Sequence, residues 1–163
     1  MYKIKLLILL LISVFIFSCT SNKTRENPEK FSIAYIGGEI DGLLLRNILT
    51  STLKNSNMLD QTSDYEIRSS IDHGTNLYIT NIDNTSDRKK IETSLSVEII
   101  NEKNLCVVFS ETYHVSQFYI FASSEKFLSN QKAIKKIKKD NTEALVKKFT
   151  NELINLKIEC NEK

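Results

Sequence analysis

Two histidines, three cysteines and a few clustered cations are the side chains of this 163-residue chain best suited to chemistry. A catalytic histidine needs a nucleophile or a carboxylate within hydrogen-bond reach, and only His73 and His114 are available. Asp72 precedes His73, but neighbours on a strand point to opposite faces, and Gly74 makes Asp72-His73-Gly74-Thr75 read as a turn. His114 follows Tyr113 in a strand-like run and reads as a solvent-facing or satisfied position. Gly37-Gly38 lacks the remainder of a phosphate-binding loop and reads as a turn. No cysteine or histidine spacing suits a metal, and nothing implies a cofactor. A hydrolase would need a nucleophile and a base that these residues do not assemble, so we expect no enzyme.

The cations offer binding chemistry instead. Arg88-Lys89-Lys90 stands at a loop-to-strand junction, and Lys132, Lys135, Lys136, Lys138 and Lys139 crowd the first half of the last helix. Such groups can bind the phosphates of an anionic glycolipid, arginine with paired donors that lysine lacks. The helix lysines also read simply as a solvated face. The formal net charge of +2 gives no overall preference for nucleic acid.

Residues 1–18 say where this chemistry would take place. Lys3 and Lys5 precede an apolar run from Leu6 to Phe17, the pattern of a secretory signal peptide. A membrane-spanning helix needs roughly 20 apolar residues, and this run is about a dozen long. The stretch Ile16-Phe17-Ser18-Cys19 resembles the lipobox of bacterial lipoproteins, which implies acylation of Cys19 and anchoring in a membrane. Acyl chains contribute about 0.8 kcal/mol per buried methylene, so more than one on Cys19 makes a stable anchor. Thr20 resembles a sorting signal for the outer membrane. Residues 19–30 are then a polar, lipidated tether, and residues 31–163 form one domain. In an oxidising compartment Cys106 and Cys160 could pair, or Cys106 could be a small apolar strand residue and Cys160 part of a frayed end; we expect the second.

The domain must position these groups with few elements. Phe31 to Ile36 reads as a strand stopped by the two glycines, and Asp41 as the cap of a helix from about Gly42 to Asn55. Within that helix Leu45, Ile48, Leu49, Thr52 and Leu53 form one apolar stripe. Tyr65 to Asp72, Asn76 to Asp83, Ile91 to Ile100 and Leu105 to Val115 read as strands of an antiparallel meander, with a polar loop from Asn84 to Lys90. From Ser123 the period lengthens, and Phe127, Ile134, Ile137, Leu145, Phe149, Leu153 and Leu156 fall on one stripe of a long helix, with Asn141 as a polar gap. The order predicts an α+β two-layer sandwich: a largely antiparallel or mixed sheet of about four to five strands with two helices on one face.

Two stretches also carry a family resemblance. Ser110-Glu111-Thr112-Tyr113-His114-Val115-Ser116, followed by Phe118-Tyr119-Ile120-Phe121-Ala122, resembles the strand-to-helix passage of the lipopolysaccharide-assembly lipoprotein family, LptE. Leu43-Leu44-Leu45-Arg46-Asn47-Ile48-Leu49 is similar to that family's first helix. With the lipobox and the order of elements, the resemblance covers nearly the whole mature chain. It implies an outer-membrane lipoprotein that plugs and helps assemble the LptD-type β-barrel delivering lipopolysaccharide to the cell surface. Its partners would be that barrel, lipopolysaccharide and the membrane, with Arg88, Lys89 and Lys90 as the lipopolysaccharide-binding candidates. The alternative is an auxiliary lipoprotein of an envelope lipid-transport system.

Overall fold

A computed structural model of the chain describes residues 28–79, 87–120, 127–156, 158 and 160. The lipobox, Cys19 and most of the tether lie outside these residues, as do residues 84–86 of the loop expected from Asn84 to Lys90. The expected two-layer α+β sandwich is observed. Strands β1 (Ser32–Gly37), β2 (Tyr65–Ile79), β3 (Asp87–Asn101) and β4 (Cys106–Ile120) form one sheet in the order β1-β2-β3-β4. Helices α1 (Glu39–Asn55) and α2 (Phe127–Leu153) pack against it, α1 over β1 and β2 and α2 over β3 and β4. The sheet is mixed: β2, β3 and β4 form the antiparallel meander, whereas β1 runs parallel to β2 because α1 returns the chain to the end where β1 began.

The two ends of the sheet differ in character. At its base Ser32 opens β1 beside Glu66, and the Asn101–Cys106 turn joins β3 to β4. At its tip lie Ile79, Asp87 and Ile120. Helix α2 starts after β4 and runs back over the sheet. Ile137 packs with Ile91 and Tyr119 nearer the tip, and the Phe149 ring lies 6.0 Å from that of Phe109 nearer the base.

Burial follows the two periods of the sequence. Leu45, Leu49 and Leu53 are buried from α1, and Leu145, Phe149 and Leu153 from α2. They meet the odd-numbered residues Ile67, Ile71, Leu95, Val97 and Ile99 of β2 and β3. Each fully buried side chain of this size contributes about 1.5–3 kcal/mol. Tyr113 ties β4 to α2 by donating its hydroxyl to Glu152 Oε2 at 2.5 Å, with Lys148 Nζ 5.0 Å from the ring centre. Burial, reinforced by the carboxylate, holds this hydroxyl protonated well beyond the ordinary tyrosine range.

Several expectations are corrected. Asp72-His73-Gly74-Thr75 is not a turn; β2 runs through it, paired residue for residue with Ser94, Thr93, Glu92 and Ile91. Gly74 does not take a positive φ, and the unbroken edge of β3 gives this segment its ladder partners. Asp41 is not the cap of α1. Gly38 occupies the N-cap with φ 111, the helix begins at Glu39, and Asp41 lies in its first turn. Arg88, Lys89 and Lys90 lie within β3, which begins at Asp87, so they are strand residues rather than a loop junction. β4 extends to Ile120, past the expected Val115. Phe127 is exposed, whereas Asn141 does fall on the buried stripe.

Cys106 and Cys160 form a disulfide, contrary to the frayed end expected of Cys160. Leu156 and Ile158, just before it, pack against the core and bring the tail to the base of β4.

Candidate functional site

The alternation of β3 divides its three cations between the faces of the sheet. Arg88 pairs with Tyr78 and Ile120, and Lys90 with Asn76 and Phe118, whereas Lys89 pairs with Leu77 and Tyr119. Directly opposed residues of an antiparallel pair share a face. Arg88, Lys90, Phe118 and Ile120 therefore stand together on the outer face, away from the helices. Lys89 shares the helix side with the buried Tyr119.

The outer face at the tip is thus both cationic and apolar. Phe118 and Ile120 are 53% and 68% exposed, and Arg88 is exposed beside them. Lys90 is paired with Glu92, which also accepts from Asn76 Nδ2 at 3.3 Å, so part of its charge is already engaged. Arg88 is the stronger phosphate ligand of the two by chemistry and by position. At the start of α2, seven residues past Ile120 in the chain, Phe127 and its neighbour Leu128 are 61% and 75% exposed.

Farther from the tip, the outer face becomes polar and forms an open groove of about 520 Å³. Asp72, Ser94 and His114 stand abreast there on β2, β3 and β4. A hydrolytic relay needs the imidazole between serine and acid. Here the serine lies between them. His73 turns to the helix side, where its Nδ1 lies 2.8 Å from Thr93 Oγ1, so Asp72 and His73 point apart as neighbouring strand residues should. Among the described residues no group of histidine, cysteine and carboxylate side chains could hold a metal.

The helix lysines behave as a solvated, paired face. Lys136 bonds Asp140 at 2.5 Å, Lys139 lies 3.6 Å from Glu143, and Lys138 reaches Asp41 of α1 at 2.7 Å. Sequence reading missed the apolar half of the tip. The signal was present in the alternation of Ser116, Phe118 and Ile120, but only the register shows that they adjoin the cations.

Comparison with known proteins bears on the fold. No protein-family model matches the chain, and no curated protein matches it by sequence. Solved structures do match. The chain is similar to a minor lipoprotein from Acinetobacter baumannii, with TM-score 0.60, 12% identity, and coverage of 83% of this chain and 97% of that one. It is also similar to rare lipoprotein B from Shewanella oneidensis, with TM-score 0.55, 10% identity, and coverage of 78% and 98%. The fold is one that bacterial lipoproteins use. A protein from Caulobacter crescentus shares it at TM-score 0.52 and 17% identity, covering 77% of this chain and 88% of that one. At these identities the likeness concerns the fold. No helix among the described residues is long and apolar enough to cross a membrane.

Proposed function

We propose that this protein is an outer-membrane lipoprotein, acylated at Cys19, that plugs and helps assemble an LptD-type β-barrel and binds lipopolysaccharide at the tip of its sheet. The observation that carries the lipid reading is the constellation of Arg88, Lys90, Phe118 and Ile120 on one exposed face. A lipid phosphate can take the guanidinium while acyl chains cover the two apolar side chains. Lys89, on the opposite face, drops to a supporting role. The plug reading is supported by the remainder of the outer face. Glu66, Arg68, Asp72, Ser94, Ser96, Thr112 and His114 make it hydrogen-bonding, as a wall facing a polar barrel lumen must be. The shared fold with minor lipoprotein and rare lipoprotein B supports envelope anchoring.

The test is lipopolysaccharide binding by the full chain and by Arg88→Glu. Removing one charge-assisted contact is worth about 1.5–3 kcal/mol, at least about tenfold in Kd. Unchanged binding by the variant would mean that the lipid sits elsewhere. Gentle solubilisation of native membranes should recover a stoichiometric outer-membrane barrel with the tagged chain. Recovery with an inner-membrane transporter instead would replace the plug reading with an auxiliary role in lipid transport.

A further inference from the structure

The polar groove of the outer face begins where the tip ends. Register sets its rows: Arg88 stands with Ile120, Lys90 with Phe118, Glu92 with Gly74 and Ser116, and Ser94 with Asp72 and His114. Successive rows on one face are two residues apart, about 7 Å. The groove of about 520 Å³ therefore opens beside Lys90 and continues toward the base of the sheet.

Residue size makes the hollow. Gly74 and Ser94 are half-buried at its floor, and Asp72, Glu92, His114 and Ser116 stand exposed around them. A Cβ added to Gly74 would meet nothing within 4 Å, so the space above this residue belongs to the groove. A glycine inside a strand weakens it and often marks a place where a ligand approaches the backbone closely.

The lining is chemically matched to hydroxyl groups. A carboxylate accepts hydrogen bonds, whereas a serine hydroxyl both donates and accepts. Glu92 is held in place by its ion pair with Lys90 and by Asn76 Nδ2 at 3.3 Å, and a carboxylate has lone pairs left after two such bonds. Charge decides which part of a phosphorylated glycolipid fits here. Two carboxylates, Asp72 and Glu92, stand against the single ammonium of Lys90, so the groove repels a phosphate that the guanidinium of Arg88 attracts.

We propose that this groove is the sugar subsite of the tip: hydroxyl groups of a phosphorylated glycolipid lie over Gly74 and bond to Asp72, Glu92 and Ser116, while its phosphate stays on Arg88. The inference rests on the lipid-binding reading of the tip. Arg88 and Glu92 are four residues apart on β3, roughly 13 Å. Sugar beyond the phosphate-bearing ring therefore reaches the groove, and the glycolipid lies along the strands with its acyl chains over Phe118 and Ile120.

Two probes in detergent, titrated against the full chain, separate the groove from the tip. One is purified lipopolysaccharide; the other is dioleoyl phosphatidic acid, which has a phosphate and acyl chains but no sugar. Arg88→Glu should weaken the binding of both. Gly74→Tyr, whose ring would fill the groove, should weaken lipopolysaccharide by about tenfold, the loss of one or two neutral hydrogen bonds, and leave phosphatidic acid unchanged. No loss of either probe in Gly74→Tyr, or an equal loss of both, would overturn the sugar subsite and leave the tip standing. Failure of the unaltered chain to bind lipopolysaccharide would overturn the tip reading and the subsite with it. Should Gly74→Tyr fail to fold, Asp72→Ala, which removes an exposed carboxylate of the groove, is read in the same way. A third measurement holds whether or not phosphatidic acid binds: deacylated lipopolysaccharide should shift the NMR amide signals of Gly74, Glu92 and Ser116, and shifts confined to the surroundings of Arg88 would overturn the subsite.

Discussion

At Gly38 the backbone turns from β1 into α1 with φ 111, a region that side chains rarely enter. A Cβ there would stand 2.5 Å from the Ile71 carbonyl oxygen, so strain and collision act together. Gly38→Ala should therefore cost at least about 1–3 kcal/mol, read as a lower urea midpoint, and the same change at Gly74, whose Cβ would meet nothing within 4 Å, should cost far less. The sequence marked the turn through its paired glycines but misplaced the helix start. Asp41 is a good cap by type; the positive φ of Gly38 starts the helix three residues before the expected Gly42, leaving Asp41 free to meet Lys138. The hydrogen-bonded trio of half-buried His73 and buried Thr93 and Asn141 was not legible at all. Its members lie 20 and 48 residues apart in the chain, and no local period links them.

Among the elements, the long helix keeps its expected stripe from Ile137 to Leu153, but it ends there, short of Leu156, and Phe127 at its start is exposed. Its stripe is set by packing at nearly every turn, and even Asn141 keeps its place because Thr93 supplies a partner. The central strands were harder to read. Gly74 breaks a strand by propensity, but the partner strand offers a continuous ladder and outweighs it. The disulfide was chemically allowed yet not legible, because only the fold brings the tail to the base of β4. It closes a separation of 54 residues and fastens the segment whose Leu156 and Ile158 pack on the core. Replacing Cys160 with serine should lower stability by about 2–4 kcal/mol and expose the tail to proteases. Thermal unfolding with and without reductant checks this: the unaltered chain should respond to reductant, and Cys160→Ser should not.

For the molecule as a whole, the order of elements was enough to give two layers, since an amphipathic helix and a half-polar meander have few other ways to bury their apolar sides. Lipid attachment belongs to this scale too. Cys19→Ser should move the protein from the membrane fraction to the soluble one, measured by fractionation of intact envelopes; unchanged partitioning would mean that something other than an acyl chain holds it there. The two ends of the sheet also set a length. Ser32 enters beside Glu66, and Arg88 stands beside Tyr78, twelve residues farther along β2. At about 3.3 Å per residue this is roughly 40 Å, more than the ~30 Å hydrocarbon thickness of a bilayer. With the N-terminus held as proposed, the sheet acts as a spacer whose tip lies roughly 40 Å from its base, a reach longer than the hydrocarbon core of a membrane is thick.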